Sequence, residues 1–140
     1  MKNLAIINGP NLNLLGLREP SIYGAESFES YLSRLRSKYD DLEITFFQSN
    51  HEGQLIDYIQ KEGFDLDAIV INPGGLSHTS VSLADALNSV PCRKIEVHIS
   101  NIHARESFRH NTITGSSCEA VLDGFGLKGY EMAIRFLKND

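Results

Sequence analysis

The chain has 140 residues, 41% of them hydrophobic, and its 18 acidic and 13 basic residues give a formal net charge of −5. That length and apolar content predict a single domain spanning residues 1–140. The acidic balance argues against a nucleic-acid surface, and no segment is apolar for long enough to be a signal peptide or a membrane span. We therefore expect a cytoplasmic protein with no nucleic-acid or membrane partner.

Strands and amphipathic helices alternate in the first half of the chain. Leu4–Ile7 is an apolar run of strand length, and Ser27 is a good N-cap for the helix that follows. The apolar residues at helical spacing in that helix are Phe28, Leu32, Leu35 and Tyr39. Ile44–Phe47 predicts a second strand. A second helix, which we expect to end near Gly63, is marked by Leu55, Ile56 and Ile59.

The second half of the chain continues the alternation. Ala68–Ile71 predicts a third strand, and either Thr79 or Ser80 is suited to cap the helix marked by Val81, Ala84 and Leu87. Ile95–Val97 and the more polar Glu119–Leu122 predict the last two strands. The closing helix is marked by Tyr130, Ala133, Ile134 and Leu137.

This order of elements predicts an α/β fold, a flavodoxin-like doubly wound five-stranded parallel sheet with helices on both faces. In such a sheet, the loops that follow the carboxyl ends of the strands meet at one edge. The polar and glycine-rich segments fall at these positions, namely 8–24, 48–53, 72–80 and 98–110. We expect them to form one site.

The segment from Glu96 to His110 is the richest in chemistry. It carries three of the five histidines and two arginines, which in an acidic protein indicates a site for a small carboxylate or phosphate. Glu96 precedes His98 by two residues, so both share one strand face. A carboxylate beside an imidazole orients the ring and stabilises its cation, which prepares a general acid.

Other signals have an ordinary interpretation beside the functional one. Tyr23 is also typical of a packed aromatic residue and Arg18 of a solvated charge, and only their place in a loop facing the others favours chemistry. The glycines after Asn72 resemble an anion cradle, but no P-loop or dinucleotide motif is present, so nucleotide binding has little support.

The sequence predicts neither a metal nor a cofactor. His78, His98 and His103 have no ligand spacing, and no thiolate or carboxylate completes a set. Cys92 and Cys118 match no ligand spacing either, and we expect two free thiols in a reducing compartment.

Four segments together resemble the type II 3-dehydroquinate dehydratases, the type II dehydroquinases of the shikimate pathway that leads to aromatic amino acids. The segments are INGPNLNLLGLREPSIYG, FFQSNHEGQLIDYI, INPGGLSHTSVSLADAL and EVHISNIHARESFRHNT. The resemblance covers nearly the whole chain and implies a cofactor-free, flavodoxin-like lyase. It also implies a homododecamer built as a tetramer of trimers, with a neighbouring subunit closing each site.

The resemblance implies trans elimination of water from 3-dehydroquinate through an enolate. Tyr23 matches the base, and Arg18 and Arg105 match the groups that hold its phenolate. A free phenol has a pKa of about 10, so keeping it ionised near pH 7 requires roughly 3–4 kcal/mol of electrostatic stabilisation. Asn11 matches the residue that stabilises the enolate through a water. His98 matches the acid, with Glu96 orienting it, and the loop of Arg18 matches a lid.

The remaining matches concern substrate binding. Asn72, Ile99 and Ser100 match the pocket for the substrate carboxylate. His78 and Arg109 match contacts to the ring hydroxyls, and Asp85 matches the residue that reaches the adjacent subunit's site.

The chain departs from the family's pattern late in the sequence. Asn111 and Thr112 replace a more usual His-Ser pair, and the segment from Ser116 to Asp123 is more polar than the usual apolar strand. Asp123 is the least expected residue there. We expect these changes to touch no catalytic group, while leaving the packing of the fifth strand and the assembly surface open.

Three other functions compete with the lyase. They are a mononucleotide-binding domain, an inactive interaction protein that kept the site, and an enzyme acting on a related cyclic hydroxy-ketone acid. The sequence also leaves open whether the reaction serves biosynthesis or quinate breakdown.

Overall fold

The computed structural model describes residues 1–17 and 26–139, and within them the predicted elements are all present. Their order is β1 (Asn3–Asn8), α1 (Phe28–Lys38), β2 (Glu43–Gln48), α2 (Glu52–Glu62), β3 (Ala68–Asn72), α3 (Val81–Ser89), β4 (Arg93–His98), β5 (Ala120–Asp123) and α4 (Lys128–Leu137). Short 3₁₀ turns, which the sequence did not predict, lie at Leu12–Leu14, Gly74–His78, Ile102–Ala104, Ser107–Arg109 and Thr114–Ser117.

The five strands form one parallel sheet in the order β2-β1-β3-β4-β5, which confirms the predicted doubly wound topology. The last residue of β1, Asn8, is level with Gln48 at the end of β2 and with Asn72 at the end of β3. Because all strands run the same way, the loops that follow β1, β2, β3 and β4 leave from one edge of the sheet.

Successive side chains of the central strands point to opposite faces of the sheet. Leu4 and Ile6 of β1 pack with α1 and α4, whereas Ala5 and Ile7 pack with α2 and α3. All four side chains are fully buried. Burying a side chain the size of leucine or isoleucine contributes about 1.5–3 kcal/mol, so both helical layers are held firmly to the sheet.

Serine hydroxyls fix where two of the helices begin. The Ser27 Oγ accepts from the Ser30 N–H at 3.2 Å, as predicted. Of the two candidate caps for α3, the structure uses Ser80, whose Oγ accepts from the Leu83 N–H at 2.9 Å.

Cys92 and Cys118 are both free thiols, which confirms the prediction that they are unpaired. Burial raises the pKa of both, to about 12 for Cys118, so neither is activated. Within the described residues, the helices all lack the length and apolar content required to cross a bilayer.

Candidate active site

The polar loops meet at the carboxyl edge of the sheet around a pocket of about 130 Å³. Its walls come from the loops that follow β1, β3 and β4. Eight predicted site residues line it: Asn11, Asn72, His78, His98, Ile99, Ser100, Arg105 and Arg109.

Backbone contacts lock the loops after β1 and β3 together. The Gly9 N–H donates to the Asn72 carbonyl at 2.8 Å. A Cβ on Gly9 would lie 2.4 Å from the Pro73 carbonyl oxygen, so only glycine allows this approach. Gly74, at φ 62°, faces the Pro10 carbonyl in the same way, with a Cβ position 3.0 Å from that oxygen. The two loops therefore form one rigid wall.

The loop after β2 holds Asn11 in place. Asn11 adopts the left-handed conformation at φ 71°, which asparagine tolerates better than most residues. Its N–H donates to the Asn50 Oδ1 at 2.9 Å, and the Gln48 Nε2 donates to the Gly9 carbonyl at 3.1 Å. These contacts fix the backbone of Asn11 where it lines the pocket.

A buried tyrosine orients Asn72. The Asn72 Nδ2 donates to the Tyr130 hydroxyl at 3.0 Å, and its Oδ1 accepts from the Gly74 N–H at 3.1 Å. The Tyr130 hydroxyl donates in turn to the Asn8 Oδ1 at 2.8 Å, and burial raises the pKa of Tyr130. Within the described part of the chain, this leaves one Nδ2 hydrogen of Asn72 for a ligand. From the sequence, Tyr130 is predicted only as one of the apolar residues that mark α4.

His98 and Glu96 are in contact, as their spacing predicted. The His98 Nε2 lies 2.8 Å from the Glu96 Oε2. Glu96 is fully buried and His98 is 6% exposed at the floor of the pocket. An imidazole held by a buried carboxylate is suited to donate a proton to a ligand on its other side.

We expected the unusual residues late in the sequence, at 111–112 and 116–123, to touch no catalytic group, and this expectation was wrong. The Thr112 Oγ1 donates to the Glu96 Oε2 at 2.5 Å, and the Thr114 hydroxyl donates to the other carboxylate oxygen, Oε1. After Arg109 the chain folds back beside β4 into the Thr114–Ser117 turn. That return brings both threonines to the strand face that carries Glu96.

Asn111 and Asp123 also contact the site. The Asn111 carbonyl lies 2.8 Å from the His78 Nδ1, which fixes that ring. Asp123, level with His98 in the sheet, accepts from the Ile102 N–H at 3.1 Å through its Oδ2. Its carboxylate therefore anchors the start of the turn that leads to Arg105, and the least expected residue of β5 has a structural role.

Two guanidinium groups give the pocket positive charge. The Arg105 Nη1 donates to the Ser100 Oγ at 3.3 Å, and the Arg109 Nε lies 3.2 Å from the Glu106 Oε2. Their side chains are 17% and 23% exposed. The backbone N–H of Glu106 lowers the pKa of its carboxyl, with a further contribution from Arg109. Together with the two imidazoles, this lining favours an anionic ligand.

Two predicted residues are not described by the structure, and a third lies away from the pocket. Arg18 and Tyr23, and the lid to which they were assigned, fall outside the described residues. Asp85 is exposed on α3 and does not line this pocket. Among the residues that the structure describes, no group of three His, Cys, Asp or Glu side chains is placed to hold a metal ion.

Comparison with known proteins gives concordant matches. The model of a family described as Dehydroquinase class II matches residues 2–138. A 3-dehydroquinate dehydratase of Caldicellulosiruptor bescii is 50% identical over 99% of this chain and 97% of its own. A catabolic 3-dehydroquinase of Phaeosphaeria nodorum is 54% identical over 96% and 90%. The crystal structure of a type II dehydroquinase from Butyrivibrio crossotus has 48% identity and a TM-score of 0.94, covering 98% of this chain and 97% of that one.

Proposed function

The chain belongs to the class II dehydroquinase family, and from that premise we propose how it dehydrates 3-dehydroquinate to 3-dehydroshikimate. This lyase reaction is a step of the shikimate pathway. The proposed route is a trans elimination through an enolate, catalysed by the protein's own side chains. The observation that carries it is the buried Glu96–His98 pair, 2.8 Å apart, at the floor of a pocket lined by two arginines.

Tyr23 acts as the base that removes the proton beside the ketone. Its phenolate requires positive charge nearby, which Arg18 and Arg105 supply. Arg105 is held at the pocket through its contact with Ser100. For Tyr23 and Arg18 the support is the match of their segment to the family's pattern.

Asn11 stabilises the enolate through a water molecule, and its position at the pocket supports that role. His98 then protonates the departing C1 hydroxyl, which leaves as water. Glu96 lies against the ring of His98 on the protein side, where it stabilises the imidazolium without meeting the substrate.

The substrate carboxylate binds to Asn72 and to the Ile99–Ser100 segment. His78 and Arg109 contact the ring hydroxyls. All five residues line the same pocket, and the oriented amide of Asn72 offers a hydrogen to an anion.

Asp85 completes the site of an adjacent subunit in a cytoplasmic homododecamer, a tetramer of trimers. Its exposure on α3, away from its own pocket, supports a role across a subunit boundary.

The test is an ultraviolet assay for the enone product on purified protein, without added metal or nucleotide. We expect turnover in the wild type. Tyr23→Phe should lose most turnover and still bind a substrate analogue, whereas Tyr58→Phe removes a hydroxyl from α2, outside the pocket, and should remain active. Arg18→Ala should also be strongly impaired.

His98→Ala should reduce turnover about 10²–10⁴-fold, the usual contribution of a general acid. His51→Ala, at the N-cap of α2, is the matched control. Normal turnover in Tyr23→Phe would remove the base assignment, and normal turnover in His98→Ala would remove the acid assignment.

A further inference from the structure

We propose that Thr112 and Thr114 are positioning residues, whose hydroxyls hold the Glu96 carboxylate as an anion turned towards His98. Held in this way, His98 presents its Nδ1 to the substrate as the proton donor. The inference rests on the proposed function of His98 as the acid and extends it to two residues that do not line the pocket.

Glu96 is fully buried in β4, where an isolated carboxylate is costly unless its oxygens are hydrogen-bonded. In the described part of the chain its ion-pair partner is His98. The two threonines supply one donor to each carboxylate oxygen, Thr112 to Oε2 and Thr114 to Oε1. Within the described residues, each oxygen of the buried carboxylate therefore has a hydroxyl donor.

The hydrogen of Thr112 is committed to Glu96. The Thr112 Oγ1 accepts from the Gly115 N–H at 3.0 Å, so its own hydrogen is free to be donated. Glu96 lies at 2.5 Å from this oxygen, whereas the Thr114 Oγ1 and the Ser77 carbonyl lie at 3.3 and 3.4 Å. The hydroxyl has one hydrogen, and the Glu96 carboxylate oxygen is the nearest of these three acceptors.

This arrangement assigns the two ring nitrogens of His98. An ionised Glu96 can only accept, so in this proposal the His98 Nε2 carries a hydrogen towards it. Nδ1 is then the nitrogen left for the ligand. In the acid step the Nδ1 proton passes to the departing hydroxyl as the C1–O bond breaks, water leaves, and His98 remains as the neutral Nε2–H tautomer.

Two serine hydroxyls in the same segment donate to backbone carbonyls, whereas the threonine hydroxyls donate to Glu96. In the Thr114–Ser117 turn, the Ser116 Oγ donates to the Ile113 carbonyl at 2.7 Å, and the Ser117 Oγ donates to the Ala84 carbonyl at 2.9 Å. Those two serines bind only backbone in these contacts. Ser117 is also buried, so its removal is a matched control for losing a structural hydroxyl.

The kinetic test compares Thr112→Val, Thr112→Ser, Thr114→Val and Ser117→Ala. A lost hydrogen bond to a buried charge corresponds to a fall in kcat of about tenfold or more, which we expect in both valine variants with KM changed by less than about threefold. Thr112→Ser should keep most of the wild-type kcat, and Ser117→Ala should keep it as well. An unchanged kcat in Thr112→Val, or an equal loss in Thr112→Ser, would overturn the proposal.

The second readout is the ¹⁵N NMR spectrum of His98, assigned with His98→Asn, at a pH where the ring is neutral. The wild type should show the Nε2–H tautomer, and Thr112→Val should show a mixture of both. An Nδ1–H tautomer in the wild type would overturn the proposal, even where a valine variant fails to fold. This spectrum needs no turnover, so it separates failure of the inference from failure of the proposed function.

Discussion

At the scale of single residues, Asp123 shows how an unexpected side chain is used. Its carboxylate accepts the Ile102 N–H at 3.1 Å and lies 3.4 Å from the His103 Nδ1. The residues between β4 and the arginines of the pocket are thereby fastened to the end of β5. A polar residue at the end of this strand is explained by that contact.

We expect Asp123→Ala to loosen this turn, because the Ile102 N–H loses its acceptor. Hydrogen exchange at the Ile102 amide should accelerate at least about tenfold, the equivalent of about 1.4 kcal/mol of lost protection. The KM should rise as Arg105 becomes less well placed. Asp123→Asn keeps an acceptor oxygen and should behave more like the wild type. An unchanged exchange rate at the Ile102 amide in Asp123→Ala would show that the turn does not depend on Asp123.

The residues of the site differ in how far the sequence predicted them. Glu96 and His98 stand two apart in a strand, so their contact follows from strand geometry. Thr112 and Thr114 reach the same carboxylate from 16 and 18 residues away, through an irregular return that no periodic pattern describes. The one available signal was chemical, since a buried glutamate in a strand needs hydrogen-bond donors.

At the scale of elements, the long periodic segments were predicted well and the short ones were not. The helices and the apolar strands have enough residues to show their period. The 3₁₀ turns span three to five residues, too few for any period to appear. β5 begins at Ala120, one residue later than predicted, because its half-buried residues form no apolar run.

The start of α3 allows a direct test of a capping contact. The Ser80 Oγ accepts from the Leu83 N–H and also donates to Glu52 in the first turn of α2. Ser80→Ala should lower the free energy of unfolding by about 1–2 kcal/mol, since both contacts are lost. Thr79→Ala should change it by less than about 0.5 kcal/mol, because Thr79 is exposed and is not the cap. Urea unfolding measures both, and equal losses would contradict the assignment of the cap.

At the scale of the whole molecule, exposed carboxylates tie distant parts of the chain together. The backbone N–H groups of Asn3 and Lys2, both 2.8 Å from the Asp67 Oδ2, lower the pKa of Asp67. The side-chain ammonium of Lys138 donates to the Asp41 Oδ2 at 2.6 Å, which lowers the pKa of Asp41 and fastens the end of α4. These groups favour the folded state most when they are ionised.

The sign of the pH dependence follows from these lowered values. A carboxyl with a lower pKa in the folded state adds stability at neutral pH, and this contribution is lost as the pH falls from about 4 downwards. The melting temperature should therefore decline in that range. Asp67→Asn should melt below the wild type at pH 7, and the difference should shrink towards pH 2. Asp40→Asn, at an exposed position after α1, is the control, and a constant difference for Asp67→Asn would contradict the linkage.

The proposed sharing of each site between subunits makes the assembly testable by complementation. Each of the two variants, Asp85→Ala and His98→Ala, should be impaired when it is expressed alone. Co-expressed in equal amounts, they form sites that combine the intact His98 of one subunit with the intact Asp85 of its neighbour. Random assembly in rings should restore about a quarter of the wild-type sites. If Asp85 instead served its own pocket, every site would lack one residue and no activity would return. Light scattering on the same samples measures whether a dodecamer has formed.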